Sequence, residues 1–221
     1  MTRCHFFWGI GGILIPTPTF FRLSIDKQAI LIEAAKKEFS RVPLHDASIA
    51  NIIKDADIPR GSFYQYFEGK DDLYYYLLSE LTQKNYDRFI ANLKANNGDI
   101  FKAFIDSYQF IIKEHRKHEH QDFFKNTFSN MNYKLEKTLA YHVYEENQRK
   151  QYLAMIQLIN TDQLNVKDDQ DLHHILKIIM AITFHNLVQV FAKDLPDEKA
   201  FNDYTQEIEL LKKGLCKETH D

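Results

Sequence analysis

An all-α fold is predicted by three features of the sequence. The 221 residues include only seven glycines and five prolines, too few for the many turns of an all-β chain. Apolar residues recur with helical spacing, and no segment shows sustained strict alternation. Hydrophobic residues make up 44% and charged residues 27%, enough for a core and a soluble surface. The expected architecture is an N-terminal three-helix head, a connecting helix and a larger helical body.

The N-terminal part is expected to form four helices. Ser24 or Asp26 can cap the first helix, because a short side-chain oxygen can accept a hydrogen bond from a free N–H. Pro59 suits the first turn of the third helix, and Asp71 and Asp72 place negative charge at the start of the fourth. The expected ranges are 24–41, 46–57, 59–67 and 71–93.

The body is expected to begin after Asn96-Asn97-Gly98, the clearest internal break in the chain. Its helices are predicted over 99–115, 121–131, 133–160, 169–193 and 198–215. The predicted domains are a head over 24–84, with a helix-turn-helix motif at about 47–66, and a body over 85–221.

The first 23 residues differ from the rest of the chain. Arg3 precedes an apolar run over 6–15, as in a signal peptide, but about 20 apolar residues are needed to span a bilayer. We therefore expect a disordered extension or an incorrectly assigned start, with Leu23 just ahead of the first good helix signal. A membrane or export role is the less favoured alternative.

Charge and cysteine content exclude several classes of protein. The net charge of −3 gives no long-range basic field, so any nucleic-acid contact must use a local patch. Cys4 and Cys216 cannot form a disulfide framework or a four-cysteine zinc site, as expected for a reduced, cytoplasmic protein without membrane association. No phosphate-binding glycine loop, Gly-x-Ser-x-Gly or paired-carboxylate motif occurs, so we predict neither catalysis nor a cofactor.

A histidine cluster lies between two predicted helices. His115, His118 and His120 have a spacing that allows a shared metal ion, but Arg116 and Lys117 lie among them. A solvated segment is the favoured interpretation, and we predict no metal site.

The second and third helices fit a helix-turn-helix, in which the second helix of the motif enters the major groove of DNA. Phe63 and Phe67, four residues apart, are expected to anchor that helix in the head. Arg60 can pair with a phosphate or a guanine edge, and Gly61 allows close approach of the backbone. The polar face carries Arg60, Ser62, Tyr64, Gln65 and Tyr66.

Here the sequence resembles the TetR family of bacterial transcriptional repressors, over about Ser24 to Glu80. The family's first helix usually reads Ala-Ala-x-x-x-Phe, and residues 34–39 read AAKKEF. Its turn and recognition helix typically read Ala-Gly-Val-x-x-Gly-Thr-Leu-Tyr-x-His-Phe-x-x-Lys-x-x-Leu, and residues 56–73 read ADIPRGSFYQYFEGKDDL. The resemblance implies a homodimer that binds a pseudo-palindromic operator and is released by a small effector held in the C-terminal body.

The resemblance also implies DNA contacts at particular positions. Ser48 matches a threonine that opens the second helix and touches phosphate, while Tyr64 and Lys70 match further phosphate contacts. Asp57 replaces the usual turn glycine and tolerates a positive φ better than most residues. The expected DNA-binding set is Ser48, Arg60, Gly61, Ser62, Tyr64, Gln65, Tyr66 and Lys70.

Residues 24–95 carry ten Lys/Arg and eleven Asp/Glu, a net charge of −1. A nonspecific DNA-binding domain would be more basic. We therefore expect modest nonspecific affinity, with specificity taken from base edges and DNA shape.

The body is expected to hold an aromatic-lined effector pocket, although a packed core is the alternative for any one ring. In the resembled family such pockets accept mostly apolar ligands. The candidate lining is Phe104, Tyr108, Phe124, Phe128, Tyr144, Tyr152 and Phe184.

The last two helices are expected to form a four-helix dimer interface with a second copy. Helix 169–193 is apolar around much of its circumference and must be covered on more than one side. The candidate interface residues are Ile175, Ile179, Ile182 and Leu211. Together these features predict a DNA-binding repressor. The alternatives are an activator and a helical small-molecule-binding or interaction module without DNA-regulatory activity.

Overall fold

The structure, a computed structural model, describes residues 16–116, 121–130, 135, 138 and 149–216. Within these residues the regular elements are helices, apart from an isolated bridge between Leu164 and Cys216. The helices are α1 (Pro18–Phe21), α2 (Ile25–Arg41), α3 (Ile49–Asp55), α4 (Arg60–Tyr66), α5 (Lys70–Ala95), α6 (Ile100–Arg116), α7 (Gln121–Ser129), α8 (Arg149–Ile156), α9 (Asp169–Lys193) and α10 (Asp197–Leu215). The predicted all-α fold, with a helix-turn-helix head and a helical body, is confirmed.

Most helix boundaries lie close to those predicted from the sequence. The Ser24 hydroxyl caps α2 by accepting a hydrogen bond from the Lys27 N–H at 3.4 Å, as expected. The helix predicted to begin at Asp46 or Ala47 begins at Ile49 instead. Pro43 precedes it, and the Asp46 and Ala47 N–H groups bond the Pro43 carbonyl in a turn. That turn holds residues 43–47 outside the helix.

The helix predicted over 133–160 ends earlier, at Ile156. Beyond it, the Asn160 N–H donates to the Gly98 carbonyl at 2.9 Å, which draws the chain away from the helix axis. Gly98 has a φ of 83°, and a Cβ there would lie 2.5 Å from the Asn160 nitrogen. Glycine is therefore required at this close approach of two backbone segments.

The described residues fall into two compact units. The first runs to Leu81 and also includes Asp122–Asn130, while the second comprises Thr82–Gln121 and the chain from Met131 onward. The division between the two units falls within α5, between Leu81 and Thr82, whereas the boundary at 84 stays a prediction from the sequence. Helix α7 belongs to the first unit although it follows α6 in the sequence. The head was predicted as a single continuous stretch of the chain.

Helix α7 joins the first unit through both packing and hydrogen bonds. The Phe39 ring packs edge-on against Tyr74, with ring centres 5.0 Å apart, and tilted against Phe123 at 6.4 Å. The buried Tyr74 hydroxyl donates to Thr127 Oγ1 at 2.8 Å. Asn126 Nδ2 donates to the Phe39 and Ser40 carbonyls at 3.0 and 2.9 Å. Because the last carbonyls of a helix lack partners within it, Asn126 caps the end of α2.

Residues 16–23 also belong to this first unit, which differs from the expected disordered extension. Pro18 occupies the first position of α1, where its fixed φ is suitable. Phe20 has no exposed surface and contacts the Phe67 and Tyr76 rings. Among the described residues, the head therefore includes 16–23 as well as the predicted stretch from 24.

The second unit is organised around α6, α9 and α10. Tyr108 of α6 stacks on Tyr204 of α10, with ring centres 4.0 Å apart. The Tyr204 hydroxyl lies 2.7 Å from Thr183 Oγ1 of α9. Asn186 Nδ2 of the same helix donates to Glu207 Oε2 at 2.6 Å. These contacts tie the three helices together.

Helix α9 is long and apolar enough to cross a membrane when only length and composition are considered, with a mean hydropathy of 1.7 over its most apolar window. Its residues Leu172, Ile175, Leu176 and Ile179 are buried within the single chain. Core helices of soluble proteins meet the same criterion, so the hydropathy of α9 is weak evidence for a membrane segment.

Candidate nucleic-acid interface

Helices α3 and α4 are joined by a turn that depends on Asp57. This residue has a φ of 51°, in the left-handed region that favours glycine. Asparagine and aspartate tolerate this region better than most residues, because their short polar side chains can hydrogen-bond locally. The Ile58 N–H bonds the Ile53 carbonyl at 3.1 Å and closes the turn. Aspartate thus supplies the backbone conformation expected for this position.

Helix α4 has one buried and one exposed face. Phe63 and Phe67 are buried, with ring centres 5.9 Å apart, as predicted for the anchoring side. Arg60, Tyr64 and Gln65 are exposed on the other side, whereas Ser62 and Tyr66 are half-buried. The Arg60 guanidinium carbon lies 6.0 Å from the centre of the Tyr64 ring.

Gly61 is also exposed, at the start of α4. A Cβ placed there would meet no protein atom within 4 Å, so packing within the chain does not require glycine. The smooth surface at this position leaves room for another molecule to approach the helix backbone.

Lys70 has a structural role that the sequence motif does not reveal. Its ammonium group donates to the His45 carbonyl at 2.7 Å and to the Ala47 carbonyl at 2.9 Å. An ammonium group has three donors, so one remains for a phosphate. Lys70 therefore links the start of α5 to the loop before α3 by two hydrogen bonds.

Ser48 lies at the N-cap of α3, but its hydroxyl makes no capping hydrogen bond. Its backbone N–H instead donates to Glu38 Oε1 at 2.7 Å. Arg41 donates to both Glu38 oxygens at 2.9 and 2.7 Å, and Asn51 Nδ2 lies 3.2 Å from each. Glu38 thus joins the end of α2 to the start of α3, which fixes the Ser48 backbone.

Sequence reasoning did not identify Glu38 as part of the site. Burial raises the pKa of Glu38, but hydrogen bonds from Arg41, the Ser48 N–H and Asn51 outweigh that effect and hold its pKa below the ordinary value. The carboxylate is therefore ionised at neutral pH. The spacing Glu-x-x-Arg in the last turn of α2 was the available signal.

The residues predicted to line an effector pocket lie in different places. Phe124 and Phe128 lie on α7, in the same unit as the head. In the second unit, Phe104 packs against Phe89 with ring centres 4.7 Å apart, and Tyr108 packs against Tyr204. The Tyr152 hydroxyl lies 3.2 Å from His173 Nδ1, and Phe184 is half-buried on α9. Tyr144 lies outside the described residues.

The described residues of the second unit form two open grooves. One, of about 350 Å³, lies between α5 and α8 and is lined by Tyr86, Asp87, Ile90, Lys94, Ala154 and Leu158. The other, of about 340 Å³, lies between α5 and α6 and is lined by Arg88, Asn92, Asp106, Gln109, Phe110, Lys113 and Glu114. Both linings differ from the predicted effector set.

The predicted dimer residues are divided between the protein interior and its surface. Ile175 and Ile179 are buried within the single chain, whereas Ile182 and Leu211 are half-buried. The exposed side of α9 instead carries Ile178, one residue from Ile179. Because α9 is apolar around much of its circumference, its sequence does not show which side packs in its own core.

Across the described part of the chain, no group of three or more His, Cys, Asp or Glu side chains is placed to hold a metal ion. His118 and His120 of the histidine cluster lie outside the described residues.

Two stretches of the chain match known protein families. Residues 31–77 match bacterial regulatory proteins of the tetR family, and residues 99–215 match the C-terminal domain of tetracyclin repressor-like proteins. The chain is 30% identical to the HTH-type transcriptional regulator YuxN of Bacillus subtilis (strain 168) over 44% of its own length and 33% of YuxN. It is 25% identical to YdgC of the same organism over 40% of its length and 47% of YdgC. The chain therefore spans between a third and a half of these relatives.

Solved structures show the same fold at low identity. A tetR-family transcriptional regulator from Streptomyces coelicolor has a TM-score of 0.59 and 16% identity, covering 86% of this chain and 82% of the other. A TetR-family regulator from Pectobacterium atrosepticum has a TM-score of 0.54 and 16% identity, covering 90% of this chain and 100% of the other.

Proposed function

The chain belongs to the TetR family of bacterial transcriptional regulators, and from that premise we propose that it is a cytoplasmic repressor that binds a pseudo-palindromic operator as a homodimer and leaves it when a small effector binds. The observation that carries the proposal is the two-sided character of α4. Phe63 and Phe67 fix one side in the head, and Arg60, Tyr64 and Gln65 are presented together on the other.

Helix α4 is proposed to enter the major groove, where its residues make two kinds of contact, to base edges and to phosphates. Arg60 and Gln65 suit the edges of guanine and adenine, respectively, because each can form paired hydrogen bonds. The Tyr64 hydroxyl and the remaining donor of Lys70 are assigned to phosphates. Exposed Gly61 allows the backbone to approach the DNA. The net charge of −1 over residues 24–95 supports a modest nonspecific component.

Dimerisation is proposed through the exposed side of α9 and the neighbouring side of α10. His174, Ile178, Ala181 and His185 are exposed and recur at helical spacing, so they lie on one face of α9. Leu210 of α10 is 60% exposed. A second copy covering this face, with its apolar Ile178, Ala181 and Leu210, would pair two heads for the two halves of an operator. Ile182 and Leu211, half-buried, remain in the proposed interface, and Ile175 and Ile179 do not.

The effector site is proposed to include Tyr108. Its ring is fully buried, and its hydroxyl has no hydrogen-bond partner among the described residues. Burial, followed by the charges of Glu207, Asp203 and Asp197, raises the pKa of Tyr108, so the hydroxyl remains a donor at neutral pH. An apolar effector with an uncharged acceptor oxygen fits these surroundings better than an anion, which the carboxylates would repel.

The role of α4 can be tested with the DNA upstream of the protein's own gene. Arg60→Ala or Gln65→Ala should change base preference by about 1–3 kcal/mol at one position of each half-site. Tyr64→Phe should weaken binding to all sequences similarly, because a phosphate contact carries no base information. Lys70→Ala should do the same, reduce the salt dependence and loosen the loop at His45. Fluorescence anisotropy with operator variants measures each effect.

Lys102→Ala is the matched control, since it removes an exposed lysine charge from the second unit. Unchanged binding for all four head variants would contradict the assignment of α4. A wild-type protein that binds no DNA would favour the interaction-module alternative.

Loss of the hydroxyl should change the free energy of unfolding in opposite directions for the stacked Tyr108 and Tyr204. Tyr108→Phe removes a buried group without a partner and should raise the free energy of unfolding by about 1 kcal/mol. Tyr204→Phe removes the partner of Thr183 and should lower it by about 1 kcal/mol. Denaturant titration measures both, and a loss of stability in Tyr108→Phe would show that its hydroxyl is already paired.

Tyr108→Phe should also weaken effector binding while leaving operator affinity without effector nearly intact. Calorimetric titration of candidate ligands, with and without operator, measures both the contact and the coupling. Linkage requires operator DNA to weaken effector binding by the factor with which effector weakens DNA binding, typically about 5–150-fold. An effector that binds equally well in both titrations would show that effector and operator binding are not coupled. The body would then serve only for dimerisation.

A further inference from the structure

Residues 16–21, which we name the N-terminal strap, meet the end of the recognition helix α4. The Thr17 N–H donates to the Tyr66 carbonyl at 2.9 Å. The Thr17 hydroxyl donates to the Gln65 carbonyl. The stretch that matches the tetR family covers residues 31–77, so Thr17 lies outside it while the two acceptor carbonyls lie inside it.

The end of α4 needs such donors. The last carbonyls of a helix have no partner within it, and many helices end with a left-handed residue whose N–H turns back to them. At the end of α4, Phe67 is extended, with φ of −138° and ψ of 143°, so it supplies no left-handed cap. Thr17 satisfies two carbonyls that would otherwise depend on water.

The strap is also held by packing. Phe20 has no exposed surface, and its ring centre lies 5.1 Å from that of Phe67 and 5.5 Å from that of Tyr76. The Tyr66 ring is 6.4 Å away, in an edge-on arrangement. Phe20 therefore anchors the strap beside the buried side of α4.

We propose that the N-terminal strap positions the recognition helix and thereby sets how sharply the protein discriminates its operator from other DNA. This inference rests on the proposed DNA-binding role of α4. A helix of seven residues has little stability of its own and takes its orientation from its surroundings. The carbonyls that Thr17 holds belong to Gln65 and Tyr66, which are both in the expected DNA-binding set. Fixing their backbone fixes where the Gln65 side chain meets a base.

The test compares identical substitutions two residues apart. Thr17→Val removes the hydroxyl donor and should lower operator affinity about tenfold, with binding to a random duplex unchanged. Thr19→Val changes an exposed residue of the same strap and should have no effect. Thr17→Ser keeps the donor and should restore the wild-type ratio of operator to random-duplex affinity.

Substitutions of Phe20 test the proposal independently of Thr17, through the same ratio of operator to random-duplex affinity. Phe20→Ala should lower that affinity ratio at least as much as Thr17→Val, and Phe20→Leu should recover most of it by refilling the space. Circular dichroism identifies a temperature at which every variant is folded, and anisotropy measures both affinities there.

A ratio that stays at the wild-type value in Thr17→Val and Phe20→Ala would overturn the proposal. Equal losses for operator and random duplex would also overturn it, because they indicate general destabilisation of the head. A wild-type chain without operator preference would overturn the proposed function, and this inference with it.

Discussion

Ile178→Glu is expected to produce folded monomers, whereas Ile179→Glu is expected to prevent folding. Ile178 is 44% exposed on α9, so a charge there stays solvated in the single chain and is desolvated only when a second copy covers it. Ile179 has no exposed surface, so the same charge would be buried without a partner. That cost is on the order of 5 kcal/mol, comparable with the whole stability of many domains. Light scattering at micromolar concentration and circular dichroism distinguish the two results.

Leu153→Glu supplies the control for these variants. Leu153 lies on α8, is 39% exposed and belongs to the same unit, so its replacement should leave both assembly and folding intact. A wild-type monomer, or an Ile178→Glu protein that remains dimeric, would contradict the interface proposed on α9.

Glu38→Ala is expected to lower the free energy of unfolding of the head by about 3 kcal/mol. The substitution removes the acceptor for the Ser48 N–H, for Asn51 and for both Arg41 contacts. Because Glu38 joins α2 to α3, operator affinity should fall as well. Denaturant titration followed by anisotropy measures the two losses, and Glu33→Ala changes an exposed glutamate of the same helix for comparison.

The contribution of Glu38 should also depend on pH. Its pKa is lowered in the folded protein, so the ionised form is the one that folding favours. The stabilisation is therefore fully present above the ordinary glutamate pKa of about 4.3 and is lost as pH falls through the lowered value. Glu38→Gln cannot ionise, so the stability difference from wild type should shrink on acidification below pH of about 4. A difference that stays constant down to pH of about 2 would assign the effect to shape rather than charge.

The head was predictable because its evidence is local. The turn at Asp57, the buried pair Phe63 and Phe67 and the cap at Ser24 each depend on residues a few positions apart, and the structure has all of them. Such short-range rules of capping and periodicity operate within a single element.

Contacts between distant residues escaped prediction. Lys70 bonds carbonyls 23 and 25 residues away, and Asn126 caps a helix that ends more than 80 residues earlier. No spacing rule connects such positions, since side-chain partners across a fold depend on tertiary packing. The N-terminal strap was missed for the same reason, because the packing of Phe20 depends on the distant rings of Phe67 and Tyr76.

Aromatic content alone does not distinguish a packed core from a ligand pocket. Phe124 and Phe128 were expected in the effector body but lie on α7, in the unit that contains the head. A ring gains from burial in either setting, so its residue type does not distinguish the two. The choice between Ile178 and Ile179 shows the same limit on a helix that is apolar around much of its circumference.

The inclusion of α7 in the first unit has a consequence for recombination between regulators. A cassette of residues 16–81 transplanted onto a foreign body would leave Phe39 without Phe123, Tyr74 without Thr127 and the end of α2 without Asn126. Exchange of the operator-reading module therefore requires that residues 122–130 be transferred together with residues 16–81. This adds two junctions, one on each side of 122–130, to the single junction of a simple fusion. Shuffling at a single crossover, in the laboratory or in evolution, should yield functional hybrids only where the recipient supplies an equivalent of this helix.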